Sequence, residues 1–348
     1  MRKNSTAVIL VNYKDYANKY LTECYTSLSQ QTNQLFDIFI ADNSTSNESV
    51  RTIKKLAPRA MIVCNKENLG WAGGNNSIIK THLAEYDYFV ILNMDTVLEK
   101  DWLAELISAV ERSKYQIVQS KVLIHDNGNI NSLGNRINYL GYGYCNAFGL
   151  PGDTKYDTEK WPIDYASGAS MIVKREVFEK IGFFREEFFM YHDDLEFSWR
   201  ARLAGYKVGL AEESICHHKY SFGSTMNHIY YMERNRLITL FSLEKARTIL
   251  LMLPMLIPFE IAMILYMAFT GNLSKKIRSL YYLFTPTGIG LIHKIRKEVK
   301  GYRALRDREV VKSFAGKVIF AEIKNPVLNL IANPVLNLYW ILIRPFVG

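Results

Sequence analysis

Four short apolar runs, each stopping on a polar residue, constrain this chain more than any other feature. They are Ala7–Val11 (AVILV) before Asn12, Phe36–Ala41 (FDIFIA) before Asp42, Ala60–Cys64 before Asn65, and Tyr88–Leu92 (YFVIL) before Asn93-Met94-Asp95. Runs this short and this rich in β-branched residues fit strands buried on both faces. Between them, Leu21, Cys24, Tyr25 and Leu28 have helical spacing and predict a helix over 20–31, with further helices over 48–56 and 75–83. The strand–helix alternation predicts a mostly parallel, Rossmann-like α/β sheet covered by helices. Such sheets bind ligands beyond the carboxyl ends of their strands. Asn12, Asp42, the Gly/Asn-rich turn 65–74 and Asp95 are therefore expected at one edge. Farther on, Gln116–Ile124, Tyr165–Val173 and Lys207–Ala211 read as strands. Asp193–Ala204 reads as a helix, with Leu195, Trp199 and Leu203 sharing a face.

Several chemistries lose support at once. No G-x-G-x-x-G follows the first strand and no G-x-x-x-x-G-K-[ST] occurs, which removes the main support for dinucleotide and P-loop readings. The four cysteines (Cys24, Cys64, Cys145, Cys216) have no metal or disulfide spacing and read as reduced thiols of a cytosolic compartment. The apolar run near the N-terminus is too short for a signal-peptide core, so no cleaved leader is expected. What stands instead is a set of carboxylates at strand and helix ends. Asp95 can hold a hard divalent cation such as Mg²⁺ or Mn²⁺, or serve simply as a turn residue. Asp193, Asp194 and Glu196 form a dense acidic cluster beside His192. Two adjacent carboxylates suit a general base, since mutual repulsion raises one pKa, and they equally suit the first turn of a helix. His217-His218 is expected just beyond a strand end.

These pieces, in order, resemble a known family. Val11-Asn12-Tyr13, Ala41-Asp42-Asn43-Ser44, Asn68–Asn75 (NLGWAGGN), Asn93-Met94-Asp95, Ser167–Ser170 (SGAS) and Phe188–Glu196 (FFMYHDDLE) are similar to the spaced motifs of family 2 inverting glycosyltransferases, rhamnosyltransferase-like branch, over about residues 5–242. The resemblance implies a GT-A nucleotide-diphospho-sugar-binding fold. It implies that Asn12 and Asp42 contact the base and ribose, and that Gly73, Gly74 and Asn75 lie along the nucleotide. Asp95 falls on the last Asp of the D-x-D motif, bridging metal and diphosphate, and Asn93 replaces the first. Asp194 falls on the catalytic base, with Asp193 as its rival. His217 matches a downstream histidine that helps bind metal or diphosphate, and the doublet leaves His218 as the alternative. Tyr230-Tyr231 and Arg234-Asn235-Arg236 resemble a further element of the rhamnosyltransferase branch. The Q-x-x-R-W sequence of processive synthases is absent, so non-processive transfer is implied.

The formal net charge of +9 is unevenly placed. Residues 1–243 hold 27 Lys+Arg against 28 Asp+Glu, and residues 244–348 hold 16 against 6. The boundary at 243/244 separates a near-neutral catalytic domain (1–243) from a basic, apolar helical region (244–348). Thr248–Ser274 carries one charge, Glu260, in 27 residues, long enough to cross a bilayer. Pro254, Pro258 and Glu260 argue against a simple span and for re-entrant or interfacial helices breaking near the prolines. A helix buried on the catalytic domain is the plainer alternative. Lys- and Arg-rich residues 275–317 suit an anionic lipid surface. The stretch between Lys324 and Arg344 repeats N-P-V-L-N-L, placing Asn325, Asn329, Asn333 and Asn337 four apart. It reads as a second membrane-contacting helix with Tyr339 and Trp340 at headgroup level.

Together these readings predict a metal-dependent (Mg²⁺ or Mn²⁺) inverting transferase on the cytoplasmic face of the membrane. It would move a hexose, L-rhamnose from dTDP-rhamnose for instance, to a lipid-linked, polyprenyl-diphosphate type saccharide. The rival from another class is a catalytically inactive membrane-bound scaffold of the same fold, separable by nucleotide-sugar turnover. Nucleic acid is excluded as a partner, because the basic residues interleave with lipid-like stretches and no stacking platform is visible.

Overall fold

The computed structural model describes residues 5–44, 46–220, 228–320 and 325–348. The chain divides into two units, residues 1–135, 145–198 and 206–220 against 136–144, 199–205 and 221–348. The composition shift at residue 244 thus falls inside the second unit, which already includes the helix Ile229–Leu243.

The first unit is built on β1 (Thr6–Asn12), β2 (Phe36–Asp42), β3 (Met61–Cys64) and β4 (Tyr88–Leu92), which are parallel in the order β3-β2-β1-β4. Chain reversal then adds β5 (Thr96–Leu98), β6 (Ile117–Ile124), β7 (Ile130–Ser132), β10 (Ser170–Lys174) and β11 (Val208–His218), while the short pair β8 (Asn135–Ile137) and β9 (Gly143–Cys145) falls mostly in the second unit. β10 lies antiparallel between β4 and β6, β11 runs parallel to β6, and β5 pairs antiparallel with β11. Three of the four runs are buried as expected, Ala7 to Leu10 and Phe89 to Leu92 being almost wholly inaccessible, whereas the edge strand β3 is not: Met61 and Cys64 are exposed. Trp102 anchors the sheet–helix core, its indole N–H reaching the hydroxyls of Ser120 and Ser170 at 2.9 Å each.

Three local expectations are corrected. The helix predicted over 75–83 runs Gly70–His82, so the glycines lie in its first turns rather than in a loop. A Cβ on Gly74 would approach Val11 Cγ1 to 2.8 Å, and the glycine lets the helix sit against β1. The strand predicted over 207–211 continues, after an irregularity between Ala211 and Ile215, to His218, so the histidines lie on the strand itself. The expected break at the prolines is absent: Ala246–Phe269 is one continuous helix containing Pro254 and Pro258. The two prolines are four apart and exposed, away from the packed row Met252, Leu256, Phe259 and Met263.

The second unit is helical: Ile229–Leu243, Ala246–Phe269, Leu273–Phe284, Pro286–Tyr302, Asp307–Val311 and Asn333–Ile343. Its interior holds a four-charge cluster. Arg236 and Lys276 each pair with both Glu233 and Glu260, and none of the four side chains is more than 13% exposed. Trp340 is not at a surface. It stacks on Tyr139 at 4.7 Å and donates to the Phe314 carbonyl at 3.0 Å, which corrects its expected place at headgroup level. Of the asparagine stripe, Asn333 is buried and bonds both backbone groups of Val318, at 2.8 and 2.9 Å, while Asn325 caps Leu328 at 3.1 Å. Lys324 lies outside the described residues.

Candidate active site

Parallel pairing places Asn12 and Asp42 side by side, as register partners at the carboxyl ends of β1 and β2. Asn12 Nδ2 donates to Asp42 Oδ1 at 2.9 Å and to Ser49 Oγ at 3.0 Å, and its Oδ1 accepts the Ala17 N–H at 2.8 Å. The Ser49 hydroxyl donates to the same Asp42 oxygen at 3.0 Å. Asp42 Oδ2 is buried without a protein partner. A buried acceptor lacking a donor is costly, which suits a site that meets an N–H or hydroxyl of a ligand. Asn43, next in line, bonds the Gly70 carbonyl at 2.9 Å and accepts from Asn65 at 2.8 Å, tying the strand end to the start of the helix Gly70–His82.

That helix also fixes the far side of the site. Gly70 has φ +69°, and a Cβ there would fall 2.1 Å from the Phe189 carbonyl oxygen, the atom that accepts the Trp71 N–H at 2.7 Å. Asn76 bonds both backbone groups of Phe184, at 2.8 and 3.2 Å. Through these bonds the helix carries the segment 184–192, in which Phe189, Tyr191 and His192 all have φ between +62° and +71°. Non-glycine residues seldom occupy this region, and such strain concentrates at functional sites. Gly73 and Asn75 lie in the same helix, Asn75 buried with its Oδ1 unpartnered and its Nδ2 on the Trp71 carbonyl at 2.9 Å.

Trp71 bridges Asn93, two residues before Asp95, and Gly168, which contacts Asp194. Its indole N–H donates to Asn93 Oδ1 at 3.3 Å, and its ring lies so close to Gly168 that a Cβ there would meet it at 2.4 Å. Gly168 in turn donates its N–H to Asp194 Oδ2 at 2.9 Å, while Asp194 Oδ1 accepts from Leu195 N–H at 2.8 Å. Burial pushes the Asp194 carboxyl above its ordinary range, against those backbone hydrogen bonds. Asp194 keeps partial exposure, whereas Asp193 is 2% exposed in the same first helical turn. Glu196 is buried against Arg185 at 3.2 Å and braces the turn.

Asp95 follows β4 and precedes β5, whose Thr96 is register partner to His218. That register brings His218 Nε2 to 3.4 Å from Asp95 Oδ1. Burial alone would raise the Asp95 carboxyl, but hydrogen bonding and charge from His218, with the Tyr16 hydroxyl, hold it below its ordinary range. His217 points to the other face of the strand and pairs with Glu99 at 2.9 Å. Of the doublet, His218 therefore faces Asp95 and His217 does not. Among the described residues no three His, Cys, Asp or Glu side chains converge as a metal cage. The oxygen and nitrogen donors of Asp95 and His218 fit a divalent ion that keeps its remaining positions for solvent and diphosphate.

Sequence reasoning gave no individual role to Trp71, Gly168 or Tyr16, and offered His218 only as the alternative to His217. Period-two alternation on a strand extended to residue 218 is the signal that separates His218 from His217.

A family model for glycosyl transferase family 2 matches residues 7–182. The chain is 28% identical over 207 residues to the low-salt glycan biosynthesis hexosyltransferase Agl10 of Haloferax volcanii, covering 58% of this chain and 63% of that protein, less than two thirds of its length. It is 23% identical over 234 residues to the N-acetylglucosaminyl-diphospho-decaprenol L-rhamnosyltransferase of Mycobacterium tuberculosis, covering 61% of this chain and 75% of that protein. Among solved structures, GalNAc-T7 with UDP, GalNAc and Mn²⁺ superposes with a TM-score of 0.51 at 15% identity, over 63% of this chain and 43% of that one. At that identity the likeness is one of fold, the GT-A arrangement.

Proposed function

The chain belongs to glycosyl transferase family 2, and from that membership we propose that it transfers a hexose, with inversion, from a nucleotide-diphospho-sugar to a lipid-linked saccharide in glycan assembly. One observation carries the reading: contacts Asn93–Trp71–Gly168–Asp194, beginning two residues before Asp95, link a candidate metal-and-diphosphate end to a candidate base. Asn12 and Asp42 receive the base and ribose, the free Oδ2 of Asp42 taking a donor from the nucleotide. Gly73, Gly74 and Asn75 let the nucleotide lie close to the helix backbone. Asp95 and His218, in place of the His217 expected from the motif, hold Mg²⁺ or Mn²⁺. When bound, that ion supplies charge neutralisation for the diphosphate leaving group.

Asp194 is the base. Its two backbone hydrogen bonds orient the carboxylate, and its raised pKa makes it a better proton acceptor near neutrality. The acceptor hydroxyl loses its proton to Asp194 as its oxygen bonds to the anomeric carbon. The bond from that carbon to the diphosphate oxygen breaks on the opposite side, so one displacement inverts the centre. Asp193, being more buried, supports the helix turn. L-rhamnose from dTDP-rhamnose is the donor favoured by the Tyr230-Tyr231 and Arg234-Asn235-Arg236 element and by the name of the mycobacterial relative. Residues 1–243 carry the catalysis, and 244–348 attach the enzyme to the cytoplasmic face of the membrane, where a polyprenyl-diphosphate acceptor is within reach.

The test is turnover of nucleotide-sugars by the full chain with Mn²⁺. Asp194→Asn and Asp95→Ala are each expected to reduce transfer by about 10²-fold or more while the protein stays folded. His218→Ala is expected to raise the Mn²⁺ requirement by roughly 10–100-fold, and more than His217→Ala does. Unimpaired transfer by Asp194→Asn sinks the base assignment. No turnover of any donor by the parent chain favours the scaffold.

A further inference from the structure

The helix Ala246–Phe269 is apolar and long enough to cross a bilayer, yet its surroundings give it a different place. We infer that it lies in the plane of the membrane surface, half sunk in one leaflet, and does not span. This rests on the membrane attachment proposed above and adds its geometry.

The row Thr248, Met252, Leu256, Phe259, Met263 and Met267 is buried from one end of the helix to the other. Partners from the same unit hold that face along its length. Thr248 donates to Asp307 at 2.6 Å, the Leu251 carbonyl accepts from Tyr339 at 2.7 Å, and Phe259 meets Tyr142 edge-on at 5.6 Å. Glu260, near the middle, is paired to Arg236 and Lys276. The helix Leu273–Phe284 packed against it carries exposed Arg278, and Pro286–Tyr302 beside that helix carries exposed Lys294 and Lys297, so these helices cannot accompany it into hydrocarbon. A span would have to tear Glu260 from both cations and leave Arg236 and Lys276 with Glu233 alone, one buried positive charge uncompensated.

The opposite face is apolar too. Leu250, Ile257, Ile261, Leu265 and Phe269 are each more than half exposed. A water-facing helix places charge there, and this one has none. Like rows occur on the neighbouring helices, with Ile277, Tyr281 and Phe284 on one and Val335, Leu338 and Leu342 on the last. The occupant is an anionic bilayer and not a second copy of the chain. Residues 244–348 hold 16 Lys+Arg against 6 Asp+Glu, so two copies would bring like charge together, whereas acidic headgroups complement it.

Depth measurement tests this on the full chain, with Cys64 and Cys145 replaced by serine and Cys24 and Cys216 left buried. Nitroxide labels on Leu250→Cys, Ile261→Cys and Phe269→Cys are read in phosphatidylglycerol/phosphatidylcholine vesicles. All three are expected at a similar shallow depth, just below the headgroups of one leaflet. Ile261 deepest, with the other two in opposite leaflets, overturns the in-plane geometry and keeps the attachment. No label in lipid overturns the attachment itself, and a dimer protecting these positions would then assign the face to a second copy. Replacing the outward side chains as Ile261→Glu with Leu265→Glu is expected to weaken vesicle binding by roughly a hundredfold without changing the thermal midpoint.

Discussion

Asp194, the proposed base, is the residue where one proton bears on both the proposed chemistry and stability. Burial raises its carboxyl above the ordinary 3.8, so the native chain holds this proton at pH values where the unfolded chain has released it. The stability contributed by the neutral acid is therefore present at low pH and is lost as pH rises through the folded pKa, after which a buried carboxylate must be tolerated. Asp194→Asn removes that titration. Whatever the variant loses at the Leu195 N–H, its thermal midpoint relative to the parent should climb as pH goes from about 4 to about 8. A midpoint difference that stays flat over this range would show that Asp194 is not held in a proton-retaining environment. The same trend ties stability to the proposed mechanism, since the charged form that destabilises the fold is the form the proposed base must take to accept the acceptor proton. Asp95 has the opposite balance: with His218 and Tyr16 beside it, it is held ionised, as a ligand for a cation should be.

At the scale of elements, the helix Gly70–His82 organises the candidate site, because it touches the proposed nucleotide end through Asn43 and Val11 and the proposed base end through Phe189 and Phe184. Gly70 needs φ +69° and has no room for a Cβ beside the Phe189 carbonyl. Gly70→Ala should cost about 2–4 kcal/mol in denaturant unfolding, combining the left-handed backbone with a collision. It should also depress transfer more than Gly271→Ala, which shares a positive φ but meets nothing within 4 Å. Equal effects at the two positions would mean that backbone conformation alone matters there. Of the four parallel strands, the inner ones were legible in the sequence because strands buried on both faces must be apolar throughout, and AVILV or YFVIL has few other uses. The start of this helix was not, since glycine and asparagine ordinarily mark turns and here serve close packing instead. Nor was the reach of β11 to His218, because Glu212-Glu213 and the register irregularity interrupt its pattern. Continuity through Pro254 and Pro258 was hidden for a similar reason: proline breaks an isolated helix, while a fully packed opposite face tolerates it. The chemical groups were easier to find than their geometry, as the choice between His217 and His218 illustrates.

For the whole molecule, the same charges act in two ways according to where they lie. The cluster of Glu233, Arg236, Glu260 and Lys276 is buried and internally balanced, so it contributes no field at the surface. Lys294, Lys297, Lys300, Arg308 and Lys312 are exposed, on a region with an excess of ten positive charges over negative ones. Salt distinguishes the two populations. At about 1 M ionic strength the screening length falls to roughly 3 Å, which removes attraction between exposed lysines and lipid headgroups but barely reaches a buried cluster. Each exposed basic residue near an anionic bilayer adds about 1 kcal/mol at low salt, so losing a few of these terms should cut vesicle binding by orders of magnitude. The thermal midpoint, which depends on the buried cluster and the apolar core, should shift far less over the same range. Nucleotide-sugar turnover with a soluble acceptor should likewise persist after vesicles are released, because residues 1–243 are near neutral as a whole. If binding to phosphatidylglycerol vesicles instead survives high salt undiminished, the apolar rows alone hold the protein to lipid, and the basic surface has another purpose.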